Sequence, residues 1–196
     1  MPEEKSSSVK LYSREEALLS LLYQEEDGMH TGAQARIYRR ELFEGIRYPV
    51  GFFVEDLATT YRVFFKCAKI AYTSEKLYRY RLRHDSQLHV SYSPKMLSCI
   101  PVSRQLYGEI SEKYPELRKA AASRAFSTNR CTYLLLPNDK KEERMKVWEE
   151  MKKYRRTVLS DPKARKREKI AALLTYAGPS FFHLFSRIYR RYLMRA

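Results

Sequence analysis

The sequence predicts an α+β fold that is predominantly helical, in which a few short strands precede a helical tail. Strand-like alternation of side chains occurs only before about residue 92, whereas the rest of the 196 residues shows helical spacing of apolar side chains. Prolines also stand near the starts of the later helical segments, where proline is tolerated. We therefore divide the chain into residues 1–92 and a helical region, residues 93–196.

The first predicted helix covers residues 13–24. Ser13 and Glu16 have the spacing of a capping box, in which each side chain binds the other residue's backbone N–H. One apolar face follows, formed by Leu18, Leu19, Leu22 and Tyr23.

Short pieces of structure are predicted next. The weak alternation of AQARIYR, residues 33–39, favours a strand, and RRELFEGI, residues 39–46, is typical of a helical turn that ends at Gly45. The order Tyr-Pro-Val-Gly at residues 48–51 indicates a turn.

A second helix is predicted from Glu55 to about Lys69. Two short strands around a turn at residues 73–76 follow, KIAYTS at 69–74 and KLYRYRLRH at 76–84. In the latter, arginines alternate with Tyr and Leu, so one face carries arginine side chains. This face is either solvated or able to contact phosphates.

The tail is predicted to contain five helices, at residues 94–112, 115–136, 139–159, 162–177 and 179–195. The charge run at 161–169 is expected to be a solvated helix face. In the last helix the apolar residues fall on one stripe, and the opposite face carries four arginines. Such a helix either lies in the interface of an anionic membrane or docks on its own domain with a solvated basic face. Gly178, Pro179 and His183 interrupt the uncharged run 170–186, so we do not expect a membrane span.

The net charge of +15 is unevenly distributed. Residues 1–60 hold 7 Lys/Arg and 11 Asp/Glu, whereas residues 61–196 hold 31 and 12. The basic part suits nucleic acid, an anionic membrane or a phosphorylated substrate. No nucleic-acid-binding motif accompanies it, so we do not expect a nucleic-acid partner.

Cysteine spacing and the N-terminus indicate a cytoplasmic protein. Cys67, Cys99 and Cys131 form no CxxC pair and are expected to be reduced. The first ten residues are polar and do not resemble a signal peptide.

The adjacent acids Glu55 and Asp56 have two interpretations. Carboxylates in the first turn of a helix complement its dipole, which is worth about 0.3–1 kcal/mol each. Alternatively, the pair belongs to an active site.

Five features in a fixed order carry a family resemblance. They are the stretch 36–43, the turn 48–51, the pair Glu55-Asp56, the Tyr-x-Tyr-Arg strand at 78–81 and the turn at Asp85-Ser86. Together they resemble the C-terminal part of an inverting family 2 glycosyltransferase, which has a Rossmann-like fold of the A type. The similarity covers roughly residues 13–90 and is to the bacterial type that builds capsular and other surface polysaccharides.

The resemblance implies roles for individual residues. Asp56 would be the general base that takes a proton from an acceptor hydroxyl, while Glu55 orients the site or binds the acceptor. The hydroxyl would then attack the anomeric carbon of a nucleotide-sugar and invert its configuration. Residues 1–92 would form the acceptor-side segment, with acceptor contacts from Tyr48, Phe52, Phe53 and Arg81.

The sequence also departs from the family pattern. It has no Asp-x-Asp metal motif, no glycine-rich phosphate loop and no βαβ run before residue 13. Gln34-Ala35-Arg36 stands where the family has Trp, a small polar residue and Lys, and Asp85 stands where Gly is usual. We therefore expect a partial enzyme that lacks the donor-binding half, binds no cofactor itself and is inactive alone. The complete enzyme would use Mn or Mg. His84 is a weak candidate for a metal ligand, because a lone histidine without partner acids is more often a surface residue.

The expected partners follow from this interpretation. A complete enzyme would take a nucleotide-sugar donor and a glycan or lipid-linked acceptor. The chain would be peripheral at the inner face of the cytoplasmic membrane, which it would contact through residues 179–195. Self-association or a donor-domain chain would cover the exposed core. The alternative is a non-catalytic helical module that binds a membrane or a partner protein.

Overall fold

The computed structural model describes residues 9–24, 28–79, 81 and 92–193, with the side chains of the last helix described as far as residue 186. Helices make up 64% of the structure and strands 6%, so the predicted helical predominance is confirmed. Residue contacts divide the chain into two compact units. The first comprises Met1–Val50 and Glu55–His89, and the second comprises Gly51–Val54 and Val90–Ala196.

The described residues of the first unit form a two-stranded antiparallel sheet and two α-helices. Strand β1 (Val9–Ser13) pairs with β2 (Lys69–Thr73), and the helices are α1 (Arg14–Tyr23) and α2 (Glu55–Phe65). Tyr12 on β1 is buried, whereas its neighbours Val9 and Leu11 are largely exposed. Because side chains alternate along a strand, one face of this sheet packs inward and the other is open.

The predicted capping box at the start of α1 is confirmed. The Glu16 backbone N–H donates to Ser13 Oγ at 3.2 Å, and the Ser13 N–H donates to Glu16 Oε2 at 2.8 Å. The helix then buries its leucines and ends at Gln24, which adopts a left-handed conformation.

The predicted strand at residues 33–39 is wrong. Ala35 has a φ of 58°, which interrupts an extended chain. The segment is instead a loop, in which Arg36 Nε donates to the Gly32 carbonyl at 2.8 Å. The residues just before it are held by hydrogen bonds from Thr60 Oγ1 to the Thr31 carbonyl at 2.8 Å and from Met29 N to Ser20 Oγ at 2.9 Å. The predicted helical turn is confirmed as a 3-10 turn at Arg40–Phe43.

The pairing of β2 also differs from the prediction. Its partner is β1, in the register Val9 to Thr73 through Ser13 to Lys69, and not the segment 76–84. The described residues of that segment, 76–79 and 81, form no strand, and the others lie outside the described residues. Helix α2 begins at Glu55 as predicted, but it ends at Phe65, four residues before the predicted end.

The second unit is a group of five helices. They are α3 (Cys99–Lys113), α4 (Arg118–Leu135), α5 (Lys141–Leu159), α6 (Lys166–Leu174) and α7 (Pro179–Leu193), with 3-10 turns at Pro94–Ser98, Pro115–Leu117 and Thr175–Ala177. All five predicted helices are present, although α6 is shorter than predicted. Helix α4 is central, because residues 120–129 are all buried.

Aromatic rings join α7 to the core of the second unit. Phe182 is fully buried, and its ring centroid lies 5.7 Å from that of Tyr133 and 5.4 Å from that of Trp148. The Tyr133 hydroxyl also donates to the Pro179 carbonyl at 3.3 Å. The start of α7 is therefore docked on its own unit.

The composition of the run 161–169 predicts a solvated helix face. The structure corrects this prediction, because part of the run is buried. Asp161, Ala164 and Glu168 are all buried. Within the described part of the chain, no helix is long and apolar enough to span a membrane.

Candidate functional site

The acidic pair opens helix α2 in the first unit. Glu55 and Asp56 are both half-buried. Asp56 Oδ1 accepts a hydrogen bond from the Leu57 backbone N–H at 2.6 Å, and Thr59 Oγ1 donates to the Glu55 carbonyl at 2.8 Å. The carboxylate of Asp56 therefore contributes to the helix start. It also remains partly open to solvent.

Three aromatic side chains pack on one another in the stretch of chain that precedes the acidic pair. The Tyr38 and Phe43 rings meet edge to face at 5.4 Å, and Phe43 stacks on Tyr48 at 6.1 Å. We call Tyr38, Phe43 and Tyr48 the aromatic row. It runs from the loop before the 3-10 turn to the turn before α2.

Tyr48 lies within electrostatic reach of the pair. Burial raises the pKa of Tyr48, Tyr38 raises it further, and the carboxylates of Asp56 and Glu55 add to the effect. The positive charge of Arg36 opposes this shift. The row, the pair and one arginine thus share one electrostatic environment.

Arg36 fixes the loop that carries the row. Its Nε donates to the Gly32 carbonyl at 2.8 Å, a terminal nitrogen donates to the His30 carbonyl, and the guanidinium lies 5.5 Å from the Phe64 ring centroid. Burial raises the pKa of Tyr38, and the nearby charge of Arg36 counteracts this. Aromatic rings and carboxylates together suit a polyhydroxylated ligand, because rings cover its apolar faces and carboxylates accept hydrogen bonds from its hydroxyl groups.

The other predicted acceptor residues lie in different surroundings. Phe52 and Phe53 belong to the second unit, where the Phe53 backbone N–H donates to Ser98 Oγ at 2.9 Å and its ring packs against the helical core. Arg81 is exposed in the first unit. Their roles in acceptor binding stay predictions, and His84, Asp85 and Ser86 lie outside the described residues.

No cluster of three or more His, Cys, Asp or Glu side chains suited to a metal ion occurs among the residues that the structure describes. The three cysteines are free. Burial raises the pKa of the Cys99 thiol to about 11, so that thiol is a poor nucleophile.

A buried carboxylate in the second unit was not predicted. Glu150 on α5 is 1% exposed, and its Oε2 accepts from Arg104 on α3 at 2.7 Å and from Lys153 at 2.7 Å. Tyr154 donates to the other oxygen at 2.9 Å. Burial tends to raise the pKa of Glu150, but these hydrogen bonds outweigh it and lower the pKa. With Tyr107, these side chains line a shallow groove of about 260 Å³. The only sign of this cluster in the sequence is the spacing of residues 150, 153 and 154, which puts the three side chains on one side of a helix.

A second buried carboxylate joins α4 to α6. Arg130 binds both oxygens of Glu168, at 2.8 and 3.0 Å, and Arg165 lies 3.1 Å from Oε1. Burial tends to raise the pKa of Glu168, but the charge and hydrogen bonds of Arg130, then the charges of Arg165 and Arg167, lower it overall. Arg130 and Glu168 are 38 residues apart, so the sequence alone could not pair them.

Comparisons with known proteins add no assignment. No protein-family model matches the chain, and neither a curated protein nor a solved structure matches it.

Proposed function

We propose that this chain carries the acceptor-side, base-bearing part of an inverting glycosyltransferase for surface polysaccharide synthesis. The observation that carries the proposal is the half-buried pair Glu55-Asp56, within electrostatic reach of Tyr48 in the aromatic row. The fixed order of motifs that resembles family 2 glycosyltransferases supports it. The complete catalytic domain would be Rossmann-like.

In this proposal Asp56 is the general base. A sugar hydroxyl is a weak nucleophile, and a positioned carboxylate that takes its proton as the new bond forms lowers the barrier. The oxygen attacks the anomeric carbon from the side opposite the leaving nucleoside diphosphate, so the configuration inverts. Glu55 accepts a hydrogen bond from a second hydroxyl of the acceptor, and the ring of Tyr48 covers the apolar face of the acceptor sugar.

The nucleotide-sugar would be bound outside these residues, by a donor-binding part that also holds Mn or Mg. The open face of the β1–β2 sheet supports this arrangement, because Val9 and Leu11 are more than 60% exposed there. Exposed apolar side chains on a two-stranded sheet are typical of a surface that further structure covers.

A glycan array tests the acceptor proposal. We expect the wild-type chain to bind a subset of immobilised surface oligosaccharides, and Tyr48→Ala to lose that binding. Tyr176→Ala, a change at an exposed tyrosine of the second unit, is the matched control and should bind as the wild type does. Equal binding by Tyr48→Ala and the control would contradict the proposed site.

A non-catalytic interaction module is the second candidate. It is favoured by a specific observation, the exposed apolar side chains on the last two helices. The local hydrogen bond of Asp56 to its own helix also fits a purely structural pair. The glycan array separates the two candidates, since the module alone would bind no sugar.

A further inference from the structure

The last two helices of the second unit, together with the 3-10 turn between them, expose a set of large apolar side chains. These side chains, which we call the apolar face, are each between 36% and 60% exposed: Ile170, Leu173, Tyr176, Phe181, Leu184 and Phe185. On α6 the first two are three residues apart, and on α7 the last three have the spacing i, i+3, i+4. Each group therefore lies on one side of its helix.

The apolar face stays exposed although α7 is docked on its unit, and its member Tyr176 also contacts Arg155, whose guanidinium lies 3.9 Å from the ring centroid. Helix α7 docks through Phe182, whose ring packs on Tyr133 and Trp148, and through His183, whose Nδ1 lies 3.0 Å from a terminal nitrogen of Arg144. The inward side of α7 is thus occupied. Its neighbours Phe181, Leu184 and Phe185 remain at the surface.

The segment that carries the apolar face is strongly basic. Residues 161–196 contain nine Lys/Arg and two Asp/Glu. Both acids are buried, Asp161 at 2% and Glu168 at 0% exposure, and Glu168 is held by Arg130. Lys163, Lys166 and Arg167 are exposed. This segment therefore presents only positive charge to a partner.

We propose that the apolar face binds the surface of an anionic lipid bilayer. Phenylalanine, leucine and tyrosine side chains insert at the boundary between headgroups and acyl chains, and the surrounding lysines and arginines attract anionic headgroups. Exposed apolar side chains and basic side chains occur together in this segment, which has no acidic side chain at its surface. The occupant is a lipid surface because the aliphatic members Ile170, Leu173 and Leu184 gain little from a nucleic-acid backbone.

This inference is independent of the glycosyltransferase proposal, since vesicle binding involves no sugar. The experiment is vesicle flotation with the full chain, using phosphatidylcholine vesicles that contain about 30 mol% phosphatidylglycerol. We expect binding that weakens by about tenfold or more in Phe181→Ser/Leu184→Ser/Phe185→Ser. We also expect binding to weaken in Lys163→Gln/Lys166→Gln and between about 0.1 and about 0.5 M NaCl.

The matched control is Ile37→Ser/Val50→Ser, which changes two almost fully exposed apolar residues of the first unit and should leave vesicle binding unchanged. Circular dichroism of the triple variant checks that the helices are retained, as expected for exposed positions. Equal binding to pure phosphatidylcholine vesicles, or unchanged binding by the folded triple variant, would overturn the inference. The inference would also be overturned if the wild-type chain did not bind vesicles but formed a dimer or an RNA complex that the triple variant could not form.

Discussion

Replacing Glu168 by glutamine tests the buried charge network of the second unit. The carboxylate accepts from Arg130 at 2.8 and 3.0 Å and from Arg165 at 3.1 Å, and Arg167 lies 3.4 Å away. Removing one partner of a buried ion pair costs about 3–5 kcal/mol, because the remaining charges stay poorly solvated. Glutamine keeps one acceptor oxygen, so we expect about 3 kcal/mol, at the lower end of that range.

Urea unfolding followed by the fluorescence of Trp148 measures this change. Trp148 is the only tryptophan and lies in the core of the same unit. With a urea dependence of about 2 kcal/mol per molar, the midpoint should fall by about 1.5 M at an unchanged slope.

The control is Glu149→Gln, which removes an exposed partner of Lys152 one turn away and should cost less than about 0.5 kcal/mol. If Glu168→Gln shifts the midpoint no more than Glu149→Gln does, the network does not stabilise the unit as described.

Three further predictions follow from the same structure. Phe182→Ala should cost about 3–5 kcal/mol of unfolding free energy, because the side chain is fully buried. Its exposed neighbour should tolerate the change, with Phe181→Ala within about 0.5 kcal/mol of the wild type in the same urea experiment. The folded-state pKa values of Glu150 and Glu168 are lowered. The stabilisation that these two carboxylates contribute is therefore complete above the unfolded pKa of about 4.3, and it is lost as the pH falls below that value. An acid titration followed by the fluorescence of Trp148 should show this loss. A fluorescence signal that stays independent of pH down to about pH 2 would contradict it. Calorimetry with UDP-sugars and Mn²⁺ should detect no micromolar binding to this chain, and such binding would refute an external donor site.

Local signals in the sequence were sufficient for the helices. The capping box at Ser13 is made by residues three positions apart, and it forms as predicted. The later helices have their own apolar periodicity, and proline or a 3-10 turn stands before several of them. Such features depend only on residues that are close along the chain, so they can be predicted from a single sequence.

Features that depend on distant residues were missed. Strand β1 pairs with β2 across some 60 residues, and its five residues carry no alternation strong enough to separate it from the helix that follows. Glu168 lies in a run rich in Lys and Arg and gave no sign of burial, since its main partner Arg130 is on another helix. The alternation at 33–39 predicts a strand where the structure has a loop, because a single left-handed residue, Ala35, does not show in an alternation pattern.

Some of the structure around the acidic pair was predicted, whereas the site roles of its residues stay predictions. The start of α2 at Glu55 is confirmed, and Tyr48 lies in the electrostatic environment of the pair. The contributions of Tyr38, Phe43 and Arg36 emerged only from the structure, because a loop brings them together. Phe53 instead packs in the helical unit, a contact that its position beside the acidic pair in sequence did not indicate.

The most direct test of the central claim is an NMR titration of the isotope-labelled chain with the common hexoses and N-acetylhexosamines and their disaccharides. The proposed acceptor site predicts that at least one sugar shifts the backbone amide signals of Tyr48, Glu55 and Asp56. The same shifts should be absent in Tyr48→Ala. Amide shifts confined to the second unit, or none with any sugar, would contradict the assignment of these residues to an acceptor site.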